Sequence, residues 1–192
     1  MSITVVARTD ALIVVDVQND FCPGGALPVP HGDQVVPAIN QVLALTDWLT
    51  VATRDWHPQD HCSFRPQGGI WPVHCVAGTR GAALHPEVHA MKIRRIISKA
   101  TTKEAEAYSG FQGTELAGIL KEQGIRRVFV CGLATDYCVR ATAMDARKSG
   151  LEVVVLEDAI RGVEVQPGDC AKAIEEMAAT GIGFAKTTDL TA

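Results

Sequence analysis

The sequence lacks any run of apolar residues long enough to cross a membrane. Its longest apolar runs have about the length of β-strands, whereas a membrane helix needs about 20 consecutive apolar residues. The first ten residues, MSITVVARTD, also lack the basic segment and the apolar segment of a secretory signal. We therefore expect a cytoplasmic protein that has no membrane partner.

Basic residues are too few and too scattered to form a nucleic-acid-binding surface. The 192 residues include 18 Lys and Arg against 22 Asp and Glu, which gives a formal net charge of -4. A protein that binds nucleic acid usually carries a basic stripe or patch, and no such stripe is visible here. Nucleic acid is therefore not an expected partner.

None of the six cysteines forms a C-x-x-C pair with another. This absence argues against thiolate zinc sites and thioredoxin-like redox motifs. Without a secretory signal, the thiols are expected to stay reduced. Most of them should be small buried apolar residues.

Apolar runs alternate regularly with amphipathic segments along the chain. The pattern predicts six strands, over residues 11–15, 48–57, 94–99, 126–132, 151–159 and 182–187. It predicts helices over residues 35–47, 114–124, 135–150 and 169–181. Strand–helix alternation of this kind implies a mostly parallel sheet with helices on both faces. We expect an α/β fold in which residues 1–192 form a single domain, a three-layer α/β/α sandwich with a six-stranded sheet.

Chemically reactive side chains follow four of the predicted strands. They are Asp16, Asp55, Lys99 and Cys138. Active sites in parallel sheets lie outside the carboxyl ends of the strands, at a topological switch point. If the runs 11–15 and 126–132 are central neighbours, Asp16 and Cys138 meet at that point.

Cys138 lies near the start of a helix that we expect Thr135 or Asp136 to cap. A helix N-terminus lowers the pKa of a thiol and favours the nucleophilic thiolate. Backbone N–H groups at the same end can hold an oxyanion. The alternative is an ordinary buried cysteine.

Asp16 and Lys99 are the groups that could assist such a thiol. A carboxylate can take the thiol proton and later deliver it to a leaving amine. A lysine can stabilise the thiolate and the negative charge that develops. The alternatives are an aspartate that caps a turn and a solvated lysine at a strand end.

Asp55 and His57 are two residues apart, so in extended chain both side chains lie on one face. His61 and His74 follow on the irregular segment 56–90, which holds five of the six histidines. One Asp with two or more His suits a divalent metal that keeps positions open for water or substrate. The alternative is a set of loop histidines that make ordinary hydrogen bonds.

Aromatic residues make up only 5% of the chain, yet several lie near these candidates. They are Phe21, Trp56, Trp71 and Tyr108. A flat aromatic substrate would stack well against such rings. The alternative is that these rings anchor loops to the core.

Six segments together resemble the isochorismatase-like cysteine hydrolases, and within them the nicotinamidases. They are DVQNDFCPGGAL, RDWHPQDHCSF, WPVHC, the lysine of SKA, YSGF and GLATDYCV. The resemblance runs in order from residue 11 to about residue 185. RDWHP followed by WPVHC is its more specific part, because relatives without a metal lack this pair of motifs.

The resemblance implies a role for each matching residue. It implies a catalytic triad of Asp16, Lys99 and Cys138, and metal ligands at Asp55, His57 and His74. His61 stands where some members have a fourth ligand. The resemblance also implies a cis peptide bond between Leu133 and Ala134, and an oxyanion hole made by the N–H groups of Ala134 and Cys138. Phe21 and Trp71 match rings that sandwich a pyridine, with Tyr108 beside them.

The activity that the resemblance implies is hydrolysis of nicotinamide, and of pyrazinamide, to the acid and ammonia through a cysteine thioester. One divalent metal would bind the pyridine nitrogen; zinc is expected first, and iron and manganese suit the same ligands. The partner is then a small amide, and homo-oligomers are frequent in the family. Two alternatives stay open: a metal-independent hydrolase of ureido or carbamoyl compounds, and a non-catalytic metal-binding module on the same fold.

Overall fold

The computed structural model describes residues 2–192 and is built around a six-stranded parallel sheet. The short strand β1 (Ile3–Thr4) precedes this sheet in the chain. The six strands of the sheet are β2 (Asp10–Val15), β3 (Leu49–Asp55), β4 (Arg95–Lys99), β5 (Arg127–Leu133), β6 (Glu152–Arg161) and β7 (Gly183–Ala185). Their order is β4-β3-β2-β5-β6-β7, and every pair is parallel. The predicted parallel sheet is confirmed, and β2 and β5 are neighbours at its centre.

Helices cover both faces of this sheet. They are α1 (Val36–Leu43), α2 (Leu116–Glu122), α3 (Arg140–Lys148) and α4 (Asp169–Ala179). Side chains of α1 pack into one apolar cluster, and those of α2, α3 and α4 pack into a second cluster on the other face. The predicted three-layer arrangement is confirmed.

β2 shows why the central strands are apolar at every position. Leu12 and Val14 belong to the cluster that contains α1, whereas Ile13 and Val15 belong to the opposite cluster. Successive side chains of a strand point to opposite faces, so a strand covered on both faces needs apolar residues throughout. The continuous run ALIVV is therefore the signature of a strand at the centre of the sandwich.

Some boundaries differ from the prediction. α1 ends at Leu43, four residues before the predicted end, and β7 ends at Ala185. β1 (Ile3–Thr4) and β8 (Leu190–Thr191) form a separate two-stranded parallel sheet that the sequence did not predict. Strands of two residues show no alternation, so a pattern search cannot detect them. Within residues 2–192 no helix is long and apolar enough to cross a membrane.

Candidate active site

The site lies at the carboxyl ends of four adjacent strands, β4, β3, β2 and β5. Asp55 and Lys99 are the last residues of β3 and β4, and they are register partners. Asp16 directly follows β2, and its φ of 49° turns the chain out of the strand. Cys138 lies five residues after the end of β5. The predicted convergence at the switch point is therefore present in the structure.

Lys99 is the centre of this group and is fully buried. Its Nζ lies 2.9 Å from Asp16 Oδ2 and 2.5 Å from Asp55 Oδ1. The same atom donates to the carbonyl oxygen of Ala107 at 3.0 Å and lies 3.5 Å from Cys138 Sγ. One ammonium group therefore touches both carboxylates and the thiol.

The charges of this group follow from burial and from the close pairs. Burial alone would lower the pKa of Lys99, but Asp16 and Asp55 outweigh it and raise that pKa well above its ordinary value. Burial alone would raise the pKa of Asp55, but the nearby Lys99 ammonium holds it well below its ordinary range. Lys99 is therefore an ammonium and Asp55 a carboxylate.

For Asp16 and Cys138, the effect of burial on the pKa outweighs that of Lys99. Burial raises the pKa of Asp16, although Lys99 and a hydrogen bond from Thr53 Oγ1 at 2.7 Å oppose the change. Burial also raises the pKa of Cys138 well above its ordinary value, with Lys99 again in opposition. The thiol pKa is therefore raised by burial, and the expectation of a lowered thiol pKa is not met. The pair holds a thiol beside a carboxyl group of raised proton affinity, which suits proton transfer between them.

The turn that carries Cys138 differs from the predicted helix start. Residues Thr135–Val139 form a π-helical turn, and α3 begins only at Arg140. Ala134 precedes the turn, and no side chain caps it. The predicted cap at Thr135 or Asp136 is wrong, because the Asp136 carboxylate accepts hydrogen bonds from a distant segment instead. The cis peptide bond between Leu133 and Ala134, which the resemblance implied, is present.

Asp55, His57 and His74 offer ligand atoms that lie within 4.8 Å of one another. His57 Nδ1 is 3.2 Å from the carbonyl oxygen of Ala100, and His74 Nδ1 is 2.8 Å from that of Pro72. A carbonyl oxygen only accepts, so each Nδ1 carries a proton and each Nε2 is the ring nitrogen left to bind a metal.

Two further observations fit a metal at these three residues. His57 Nε2 is buried, has no hydrogen-bond partner, and lies 3.6 Å from Asp55 Oδ2. Buried polar atoms normally have a partner, so this one indicates a missing ligand. Burial lowers the pKa of His74, which favours the neutral ring that metals bind. Two imidazole nitrogens and a carboxylate oxygen suit a divalent transition metal.

His61 is close to the metal group but is occupied by protein partners. Its ring centroid is 4.2 Å from that of His57. Its Nδ1 is 2.8 Å from Ser63 Oγ, and its Nε2 is 3.1 Å from the carbonyl oxygen of Ala105. A metal would have to displace one of these partners, so a ligand role for His61 stays a prediction.

A cavity opens onto the thiol and the metal group. Cys138, Asp55 and His74 line it, and so do all three rings predicted to hold a substrate, Phe21, Trp71 and Tyr108. Trp71 Nε1 donates to Tyr108 Oη at 3.1 Å, which fixes these two rings against each other. The aromatic wall suits one small flat molecule.

Several residues of the site were not found from the sequence, and three of them are polar. Tyr137 and Glu106 line the cavity, and Gln18 is fully buried beside it. The Gln18 side-chain amide donates to the carbonyl oxygen of Asp55 and accepts from its N–H, both at 2.8 Å. This pair continues the hydrogen bonding between β2 and β3 past the end of β2. The sequence signal was weak: Gln18 follows Asp16 by two residues, and Tyr137 precedes the thiol.

Known proteins resemble this chain over nearly all of its length. The Isochorismatase domain matches residues 10–189. The nicotinamidase of Escherichia coli (strain K12) is 40% identical over 198 residues, which cover 89% of this chain and 92% of the relative. The structure of PnC1 from L. infantum in complex with nicotinate has a TM-score of 0.96 and 43% identity, with 100% of both chains covered. The pyrazinamidase of Pyrococcus horikoshii in complex with zinc has a TM-score of 0.84 and 52% identity, with 92% of this chain and 98% of that one covered.

Proposed function

This chain belongs to the isochorismatase family and is an amide hydrolase that acts on nicotinamide, and we propose that Cys138, Asp16 and Lys99 carry the reaction. The products are nicotinate and ammonia, and pyrazinamide is hydrolysed in the same way. The observation that carries the proposal is the position of Lys99 Nζ, which touches the Asp16 carboxylate and the Cys138 thiol at one end of an aromatic cavity.

The first half of the reaction forms a thioester. Asp16 takes the proton of Cys138 while Sγ attacks the carboxamide carbon, and the carbonyl electrons move to the oxygen. Lys99 offsets the negative charge that appears on sulfur and then on oxygen. When the carbon–nitrogen bond breaks, Asp16 gives its proton to the departing ammonia.

The second half restores the enzyme. Asp16, again a carboxylate, takes a proton from water as the water oxygen attacks the thioester carbon. The carbon–sulfur bond breaks, the Cys138 thiolate recovers the proton from Asp16, and the nicotinic acid that forms loses its remaining acid proton to water and leaves as nicotinate. Burial raises the pKa of both groups, which favours Asp16 as the holder of the proton while the sulfur is acylated and the sulfur as its holder once the thiolate is free.

We assign the oxyanion hole to the backbone N–H groups of Ala134 and Cys138. Ala134 lies directly before the π-helical turn, and both residues line the cavity. A donor of this kind contributes about 3–4 kcal/mol to the barrier reduction.

We assign the metal site to Asp55, His57 and His74, with zinc as the ion. The orientation of both rings and the His57 Nε2 atom without a partner support the assignment, and so does the zinc of the P. horikoshii relative. A zinc ion held by these residues would supply a Lewis acid for the pyridine nitrogen and so orient the ring. The side chains of Phe21, Trp71 and Tyr108 then hold the ring by its faces and edges.

Ammonia release from a panel of small amides tests the proposal. We expect rapid release from nicotinamide and pyrazinamide and little from aliphatic ureido or carbamoyl compounds. Elemental analysis of the same sample should find one divalent metal per chain. Faster turnover of a carbamoyl compound, in a protein without bound metal, would instead support the metal-independent alternative.

A further inference from the structure

Asp136 is a buried carboxylate that the proposed reaction does not use. It lies in the π-helical turn two residues before Cys138, and its exposed fraction is 8%. Its Oδ1 accepts from the N–H of Val163 at 2.9 Å, and its Oδ2 accepts from the N–H of Glu164 at 2.7 Å. Both oxygens therefore bind one short stretch of backbone that follows the end of β6.

That stretch is the start of the connection between β6 and α4, residues 162–168, which forms no strand or helix. Gly162 packs so tightly that a Cβ there would lie 2.0 Å from Cys170 Sγ and 3.0 Å from Asp136 Oδ1. Glu164 has a φ of 54°, in the left-handed region. A connection without regular hydrogen bonding relies on side chains for its position, and here Asp136 supplies two bonds to its first residues.

The connection matters for the substrate because Val163 lines the cavity together with Cys138. The Val163 side chain also packs against the apolar cluster that contains Phe21 and Leu133. The Asp136 carboxylate therefore joins the turn that carries the attacking sulfur to a wall of the cavity. Any ring that touches this wall is held at a set distance from Sγ.

We propose that Asp136 is a positioning residue that decides which ring-substituted pyridine carboxamides the cavity accepts, because it fixes the wall at Val163 relative to Cys138. The inference rests on the proposed amide hydrolysis and adds a determinant of its substrate range. With the wall fixed, an unsubstituted ring fits and an added methyl group meets Val163. When the hydrogen bonds from Asp136 are lost, the affinity for the unsubstituted ring falls and substituted rings are tolerated better.

The variant Asp136→Asn tests this directly. An asparagine keeps one carbonyl acceptor, but its NH₂ group faces the second backbone N–H and cannot accept from it. For nicotinamide we expect KM to rise by about 10-fold while kcat stays within about 3-fold. We expect the ratio of kcat/KM for nicotinamide over its ring-methylated forms to fall by about 10-fold.

Asp169→Asn is the matched control. Asp169 Oδ2 accepts from the N–H of Gln166, at the far end of the same connection and away from the cavity. This variant should keep the wild-type KM and the wild-type preference. A change as large as that of Asp136→Asn would show a general effect of loosening the connection and would overturn the inference.

Val163→Ala provides a second test that does not depend on the folding of the Asp136 variant. This substitution shortens the side chain that forms the wall. It should lower the ratio of kcat/KM for nicotinamide over its ring-methylated forms while the melting temperature stays close to wild type. An unchanged preference in Val163→Ala would overturn the inference. So would an Asp136→Asn variant that loses kcat and thermal stability at constant preference, because that is the result of a purely structural role. A wild-type protein that releases no ammonia from nicotinamide would instead refute the proposed function.

Discussion

At the scale of single residues, the site depends on a buried cation and its partners. An isolated ammonium in a protein interior would be very unfavourable, so a fully buried lysine must be paired. Lys99 is paired with Asp16 and Asp55, and its ammonium also lies beside the Cys138 sulfur. The lysine stays protonated, so the mobile proton of the site belongs to the thiol and to Asp16. Variants of these two residues therefore separate nucleophile from base.

We predict that Cys138→Ala lowers kcat/KM for nicotinamide by about 10⁴-fold or more, because no other group at this position can form the thioester. Folding and metal content should stay intact, since the side chain contributes no metal ligand to the proposed site. Cys131→Ala is the control: this thiol is also buried, on β5, but lies outside the cavity. It should lose stability and keep turnover. Near-normal turnover of Cys138→Ala would show that Cys138 is not the nucleophile.

We predict that Asp16→Asn lowers turnover by about 10²–10⁴-fold, because an amide can neither take the thiol proton nor return it to ammonia. Asp10→Asn is a matched control at the opposite end of the same strand, where the buried carboxylate pairs with Arg127. Its loss should reduce the free energy of unfolding and leave kcat unchanged. If single-turnover kinetics show the same acylation rate for Asp16→Asn as for wild type, Asp16 is not the base.

At the scale of elements, β5 must approach β2 closely where the two strands deliver Asp16 and the nucleophile turn. Gly132 makes this approach possible. Its φ is 113°, and a Cβ would lie 2.1 Å from the carbonyl oxygen of Val15. The register between β5 and β6 also shifts between Val130 and Gly132. A glycine is therefore required one residue before the end of β5, for both conformation and space.

We predict that Gly132→Ala reduces the free energy of unfolding by about 2–4 kcal/mol, from strain at positive φ together with overlap with β2. Gly118→Ala is the matched control, since a Cβ there meets nothing within 4 Å in the middle of α2. The control should gain about 0.5–1 kcal/mol, the helix preference of alanine over glycine. Urea unfolding of both variants measures the difference, and equal stabilities would show that β5 can shift away from β2.

The elements that the sequence predicted well are those with a local signal. The run ALIVV and the residue after it were enough to place β2 and Asp16, because a strand buried on both faces is apolar at every position. The start of α3 was predicted wrongly because Asp136 looks like a local cap, whereas its partners Val163 and Glu164 come later in the chain. The thiol pKa was misjudged for a related reason: burial of Cys138 depends on packing by distant segments, which a spacing pattern does not contain.

At the scale of the whole molecule, the site is assembled from segments that lie far apart in the sequence. The thiol belongs to the turn after β5, the rings to three separate loops, and the metal group to β3 and the irregular segment after it. A shared cavity joins them, so one molecule can reach the thiol and a metal held by the proposed ligands at the same time. The proposed arrangement therefore predicts that a small ring with an amide at one position and a donor atom at another is the preferred substrate.

The last prediction tests that arrangement with a substrate that lacks one of the two groups. Nicotinamide and pyrazinamide carry a ring nitrogen meta to the carbon that bears the carboxamide, whereas benzamide has the same shape without that nitrogen. A site built to pair a polar atom rejects the analogue that lacks it far more strongly than shape alone would. We expect kcat/KM for benzamide to be lower than for nicotinamide by about 10³-fold or more. Removal of the metal by a chelator should lower kcat/KM for nicotinamide towards that for benzamide and leave kcat/KM for benzamide unchanged.

The His74→Ala variant makes the same comparison without a chelator. This residue is a proposed ligand on the loop after Trp71, and its loss should lower the metal content measured by elemental analysis. The preference for nicotinamide should fall in proportion to the metal lost, because the thiol, Asp16 and Lys99 remain in place for either amide. If benzamide is hydrolysed as efficiently as nicotinamide at full metal occupancy, the metal does not bind the ring. In that case the aromatic walls of the cavity select the substrate by shape, and the protein is a general hydrolase of small aromatic amides.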